Sequence, residues 1–145
     1  MVDFKMVDGE PIQLTDAEQA AHDARQTAWD AGAQGRILSD LAAHRYAVQT
    51  GGTTVNGIAF LTDSDSQVAL MGAMIIASAN PAYTVNWKTP AGFFTLTATQ
   101  VISIANTVAA FIQQCFSTEA TLIANVAQYS DTPTIIAAFD AAMAA

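Results

Sequence analysis

The chain predicts an α+β fold in which two β-hairpins pack against a helical bundle, preceded by an alanine-seamed N-terminal helix. Three observations predict it. Asn56-Gly57 separates two short runs, Thr53-Thr54-Val55 and Ile58-Ala59-Phe60-Leu61, and a type I′ turn needs positive φ at both central residues. Tyr83-Thr84-Val85-Asn86-Trp87-Lys88 alternates as a half-buried strand, turns at Thr89-Pro90-Ala91-Gly92 and returns as Phe93-Phe94-Thr95-Leu96. Thr15, Ser64 and Thr97 are each followed three residues later by Glu18, Gln67 and Gln100, the spacing of a capping box at the head of an apolar helix.

From the N-terminus, Phe4-Lys5-Met6-Val7 and Pro11-Ile12-Gln13-Leu14 flank Asp8-Gly9-Glu10, a short hairpin or a turn between extended segments. Pro11 confines the second segment to a sheet edge, because it cannot donate to a ladder. Thr15 and Glu18 then open a helix that runs to about Ala31, before Gly32. Along it Ala17, Ala21, Ala24, Ala28 and Ala31 recur at four-three spacing, while Asp16, Glu18, Asp23, Arg25 and Asp30 lie elsewhere. Alanine buries little area, so this seam gains most by close approach to another helix or subunit; helical propensity alone explains the alanines equally well.

Gly32 and Gly35 mark a hinge, after which Ile37, Leu41, His44 and Val48 resume a helical face that ends before Thr50-Gly51-Gly52. After the Asn56-Gly57 hairpin, Thr62, Asp63 and Ser64 offer N-cap oxygens for a helix from Ser66 to Ala79, stopped by Asn80-Pro81 and expected to be buried. Beyond the second hairpin, Thr97 and Gln100 cap a helix carrying Val101, Ile104, Val108, Phe111, Ile112 and Cys115 on one face. Ser117 or Thr118 is expected to start a further helix to about Tyr129, and Thr132-Pro133 a last one with Ile135, Ile136, Phe139 and Met143. The predicted organisation is an N-terminal extended segment and docking helix over 1–35, then an α+β domain over 36–145.

With 145 residues, 52% of them apolar, the chain is long enough to bury a core without metal or disulfide help. The apolar stretch Val68 to Ala79 is too short to cross a bilayer. Asp3, Lys5 and Asp8 follow Met1 where a secretory signal would carry a basic and then an apolar region, so synthesis in a cytoplasm is expected. The single cysteine, Cys115, sits among Phe111, Ile112 and Phe116 and reads as a core thiol. A net charge of −8 opposes contact with phosphate backbones and anionic membranes, so neither nucleic acid nor membrane is expected as a partner. After Asp65 the only charged residues are Lys88, Glu119, Asp131 and Asp140. Interfaces are depleted in charge, so such a surface suits a subunit packed against its neighbours.

Chemistry-bearing patterns are weak. His22 and His44 lack the spacing of a ligand pair; Asp40 and His44 lie one helical turn apart and read as an exposed pair. Asp63 and Asp65 resemble the opening of a calcium loop but lack its glycine and distal glutamate, so helix capping accounts for them. No glycine-rich phosphate loop follows a strand and no serine sits in a nucleophile elbow. No enzyme, metal or cofactor is therefore expected. Tyr83, Trp87, Phe93 and Phe94 would either pack against the helices, the favoured reading, or present a binding face. The candidate interface residues are Ala17, Ala21, Ala24, Ala28, Trp29, Trp87 and Phe93.

Several segments carry a family resemblance in their order: Gly51-Gly52-Thr53-Thr54-Val55-Asn56-Gly57-Ile58, Thr62-Asp63-Ser64-Asp65-Ser66-Gln67, Val85-Asn86-Trp87-Lys88, Gly92-Phe93 and Leu96-Thr97-Ala98. Together, from about Arg36 to Phe139, they resemble a domain of unknown function found in tail proteins of tailed bacteriophages. The opening Met6-Val7-Asp8-Gly9-Glu10 with Leu14-Thr15 is also similar to the start of small phage tail proteins. The resemblance implies a structural role in the virion tail, near the fibre or baseplate, in a homo-oligomer with a trimer as first expectation, alongside other tail proteins. It carries over no catalytic residue. The alternatives are a tail-fibre assembly chaperone absent from the mature particle and a receptor-binding module.

Overall fold

The computed structural model describes residues 3–145. Its elements run β1 (Phe4–Val7), β2 (Glu10–Gln13), α1 (Asp16–Ala31), α2 (Ala33–Thr50), β3 (Thr53–Val55), β4 (Ile58–Phe60), α3 (Ser64–Ala79), β5 (Thr84–Thr89), β6 (Gly92–Thr97), α4 (Ala98–Ala124), a 3-10 turn (Val126–Gln128) and α5 (Thr132–Met143). The fold class is α+β, as the sequence predicts. Among the described residues the strands form three separate antiparallel hairpins, β1-β2, β3-β4 and β5-β6.

Local chemistry explains most boundaries. Asp8 and Gly9 take φ of 50° and 86°, and Asn56 and Gly57 take 51° and 80°, the left-handed pairs that a tight hairpin turn demands. Pro11 pairs with Met6 in β2, which is an edge strand of a two-stranded sheet. The capping boxes at Thr15/Glu18 and Thr97/Gln100 are both closed in each direction.

Four expectations are corrected. Gly35 does not interrupt a helix: the break falls at Gly32 alone, and α2 begins at Ala33. The cap of α3 is Asp63, whose Oδ1 accepts from the Ser66 amide, while Gln67 turns away from Ser64 and donates to the Thr62 carbonyl. No helix starts at Ser117 or Thr118. The Ser117 hydroxyl donates back to the Gln113 carbonyl within one continuous helix of 27 residues, because nothing there competes with the helical backbone. The last helix is capped by Asp131, one residue earlier than expected, with Pro133 in its first turn.

The core has two centres joined by α4. Near its N-terminal half, Val101, Ile104, Ala105 and Val108 pack with Val55 and Phe60 of the β3-β4 hairpin, Leu96 of β6, and Leu70, Ala73 and Ala77 of α3. Near its C-terminal half, Cys115 and Leu122 pack with Ile37 and Leu41 of α2 and Ile135 and Phe139 of α5. The first centre is thus two hairpins on a helix pair, and the second a three-helix bundle. By length and hydropathy α4 alone among the described helices matches a bilayer span, but it is the shared spine of both centres.

Polar groups tie these parts together. Thr62 is fully buried between α2 and α3, its hydroxyl donating to the Gln49 carbonyl at 2.6 Å and accepting from the Gly52 amide at 2.8 Å. It thereby closes the last turn of α2 onto the strand pair that follows. Among the described residues, no buried side-chain nitrogen or oxygen lacks a hydrogen-bond partner.

Candidate interaction surface

The N-terminal alanine seam is open. No residue of α1 is buried, and Ala17, Ala21, Ala24 and Ala28 are all exposed. The helix is held chiefly at its ends. At the head, Lys5 of β1 pairs with Glu18, and the Gln19 amide donates to Asp3 and Asp23 at 2.9 Å each. The Lys5 ammonium and the Thr15 amide and hydroxyl hold the Glu18 carboxyl down to about 2 from 4.5. At the tail, the Arg36 guanidinium stacks 3.6 Å above the Trp29 ring and donates to the Trp29 carbonyl at 2.7 Å. Trp29 remains exposed beneath that cap.

The two hairpin aromatics part company. Trp87 is half-buried and packs with Tyr83, Val85 and Phe94 against the first core centre, the favoured reading for this group. For Phe93 that reading is corrected: it is 73% exposed, because β6 alternates and its neighbours Phe94 and Leu96 do not share its face. The seven candidate residues therefore do not form one surface: five lie on α1, Phe93 projects from β6, and Trp87 serves the core.

The expectation that α3 is buried holds for one face only. Leu70, Ala73 and Ala77 are buried, but Val68 (73% exposed), Met71 (64%), Ile75 (65%) and Ile76 (49%) point outward. A helix apolar on every side is ordinarily covered on every side. Val68, Met71 and Ile75 border an open groove of about 470 Å³ with Ser64, Gln67 and Gly72. None of them was among the sequence-derived candidates. The signal was present, since Val68, Gly72, Ile75 and Ala79 recur at four-three-four spacing opposite Leu70, Ala73 and Ala77.

Few groups are arranged for chemistry. Asp3 Oδ2 and Asp23 Oδ1 lie 3.4 and 3.5 Å from His22 Nδ1, three atoms that could meet one cation. Both carboxylates are already bridged by Gln19, so the cluster works as a surface ion-pair network fastening α1 to the chain before β1. Asp40 and His44 do not pair. Asp40 accepts from the Thr132 hydroxyl at 2.7 Å, and His44 Nε2 lies 2.6 Å from Asp140 Oδ1, so both clamp α2 to α5. Cys115 is fully buried, and burial pushes its thiol up despite the nearby Arg45 charge.

No curated protein and no solved structure matches the chain. A family model described as a domain of unknown function, DUF4376, matches residues 32–143, beginning at the glycine that ends α1. With most of its length so matched, the chain belongs to the DUF4376 family.

Proposed function

We propose that the protein is a structural subunit of a bacteriophage tail, seated near the tail fibre or baseplate and acting by packing and attachment rather than by catalysis. The observation that carries an assembly role is the outward face of α3, where four large apolar side chains stand in solvent on a charge-poor domain. Large exposed apolar patches mark surfaces at which proteins meet their partners. The free α1 seam supplies a second attachment element, and the tail location rests on the ordered motifs from Gly51 to Ala98. Under this reading the chain is made in the host cytoplasm and stays in the virion.

The test is quantitative mass spectrometry of gradient-purified particles of the encoding phage, scaled to a tail protein of known copy number. A fixed copy number in small symmetric multiples supports the role. Absence from the particles would leave an assembly chaperone. Exposure of Phe93 favours one further reading, a receptor-binding module. It requires that Phe93→Ala abolish adsorption while particles still assemble.

A further inference from the structure

Residues 3–31 form an arm with no core of its own. No residue from Asp3 to Ala31 is buried, yet Phe4 and Met6 stand exposed on one face of the β1-β2 hairpin, Val7 and Ile12 on the other, and Trp29 on α1. A lone two-stranded hairpin and a lone helix of this length are each marginal in water. The family match begins at residue 32, so the arm is an addition to the family domain.

Charge selects what covers it. The arm holds seven of the chain's 13 carboxylates and two of its five bases, a net charge of −5. Asp8 and Glu10, at the hairpin turn beside the exposed Val7, have no ion-pair partner among the described residues. Nucleic acid and anionic membranes are repelled by such an arm. A second copy fits no better, because it has no basic face to offer. Lys5 is held by Glu18, Arg36 by its stacking on Trp29 and Arg45 by Glu119, which leaves Arg25 on the equally acidic arm and Lys88 on β5. What complements the arm is a different protein whose surface sets lysines or arginines around an apolar groove. The five exposed apolar side chains present roughly 550 Å². With a little over half of an interface apolar, that corresponds to about 950 Å² on this side, more than the about 800 Å² each partner gives to a standard complex.

We infer that the arm, hairpin first, docks into an apolar groove with basic walls on a protein other than this one. The inference stands on the arm alone and does not depend on the tail assignment, which the particle experiment decides separately.

The test titrates the full chain with three short synthetic peptides, one alternating lysine and leucine, one alternating lysine and glutamine and one alternating glutamate and leucine, and maps contacts by amide hydrogen exchange. The lysine-leucine peptide is expected to bind at least about tenfold more tightly than either of the others, to weaken as salt is added, and to slow exchange from Phe4 to Ala31 while leaving α3, α4 and α5 unchanged. Two double variants, Asp8→Asn with Glu10→Gln and Phe4→Ser with Met6→Ser, should each weaken it at least about tenfold. All four sites are exposed, and asparagine suits the positive φ of residue 8, so the melting curves should be retained. Asp65→Asn, on α3, should leave binding unchanged. No binding of the lysine-leucine peptide, equal binding of either other peptide, protection falling on the domain, or indifference to either double variant would each overturn the inference. Protection of the arm that rises with chain concentration in the absence of peptide would assign it to a second copy and overturn the inference as well.

Discussion

Arg45 of α2 donates its Nε–H to Oε2 of Glu119 on α4 at 2.8 Å, and both side chains are more than four-fifths buried. The same guanidinium donates to Gln49 at 2.6 Å and lies 4.7 Å from the Phe116 ring centroid. An ion pair so shielded is worth little as a pair, because desolvation offsets attraction, but it is costly to halve. Glu119→Ala should therefore destabilise by about 2–3 kcal/mol, lowering the melting temperature by several degrees. The double variant Arg45→Met with Glu119→Leu should recover much of that loss. Thermal denaturation of the single and double variants checks this, and a double no better than Glu119→Ala would contradict it.

Thr62 makes a different kind of join, since its hydroxyl both donates and accepts in a site without water access. Thr62→Val keeps the shape but orphans the Gln49 carbonyl and the Gly52 amide, at a cost of about 1–3 kcal/mol. Thr62→Ser retains both bonds and should lose less. Urea titration of the two variants reads the difference in midpoint at constant slope.

Phe139 is fully buried in the three-helix bundle, edge-on to His44 with ring centroids 5.5 Å apart. Phe139→Ala leaves a cavity that neighbouring Ile135 and Leu41 cannot fill, costing about 3–5 kcal/mol. Native-state amide exchange should show protection collapsing in α2 and α5, with less change in the β5-β6 hairpin, which packs on the other core centre.

Glu18 links the N-terminal hairpin to α1, and its carboxyl is held down to about 2 from 4.5. A carboxyl whose folded value lies below its unfolded one contributes stability that is complete above about pH 4.5 and lost as the pH falls towards 2. Loosening of β1, β2 and the first turn of α1 in that window, ahead of the domain, is the expected outcome. A carbon-detected titration of Glu18 with a midpoint above 4 would sink it.

Cys115, fully buried with its thiol pushed up by desolvation, should resist alkylation in the native protein at pH 8. Its labelling rate should follow global unfolding, rising with denaturant in parallel with loss of helical signal. Rapid labelling without denaturant would show that α2, α4 and α5 open locally.

How much of this was legible beforehand follows from the range of each interaction. Asn56-Gly57, the Thr15/Glu18 and Thr97/Gln100 boxes and the Pro133 helix start act within four residues, so their structures could be read from the chain directly. The alternation from Val85 to Leu96 was legible too, but by itself it left Tyr83, Trp87, Phe93 and Phe94 as one group; the pairing of Trp87 with Phe94 in the hairpin turned Phe93 to the opposite face.

Where local chemistry was ambiguous, tertiary packing decided. Three adjacent oxygens could cap α3, and the choice of Asp63 freed Gln67 to bond Thr62, whose own hydroxyl was claimed by α2. Ser117 and Thr118 suit a cap and a helix interior alike; α4 runs through them because Cys115 and Leu122 must both reach the α2-α5 bundle. Neither Arg45 nor His44 announces its partner, since Glu119 and Asp140 lie 74 and 96 residues away. Most consequential is α3: apolar residues surround it, so composition alone predicted burial. Only the placement of Leu70, Ala73 and Ala77 against α4 and the hairpins left Val68, Met71, Ile75 and Ile76 in solvent. The sequence by itself determined the hairpin turns and the two closed capping boxes, because those energies are local. The tertiary structure alone decided which apolar face the molecule keeps and which it offers, because that depends on what else is packed nearby.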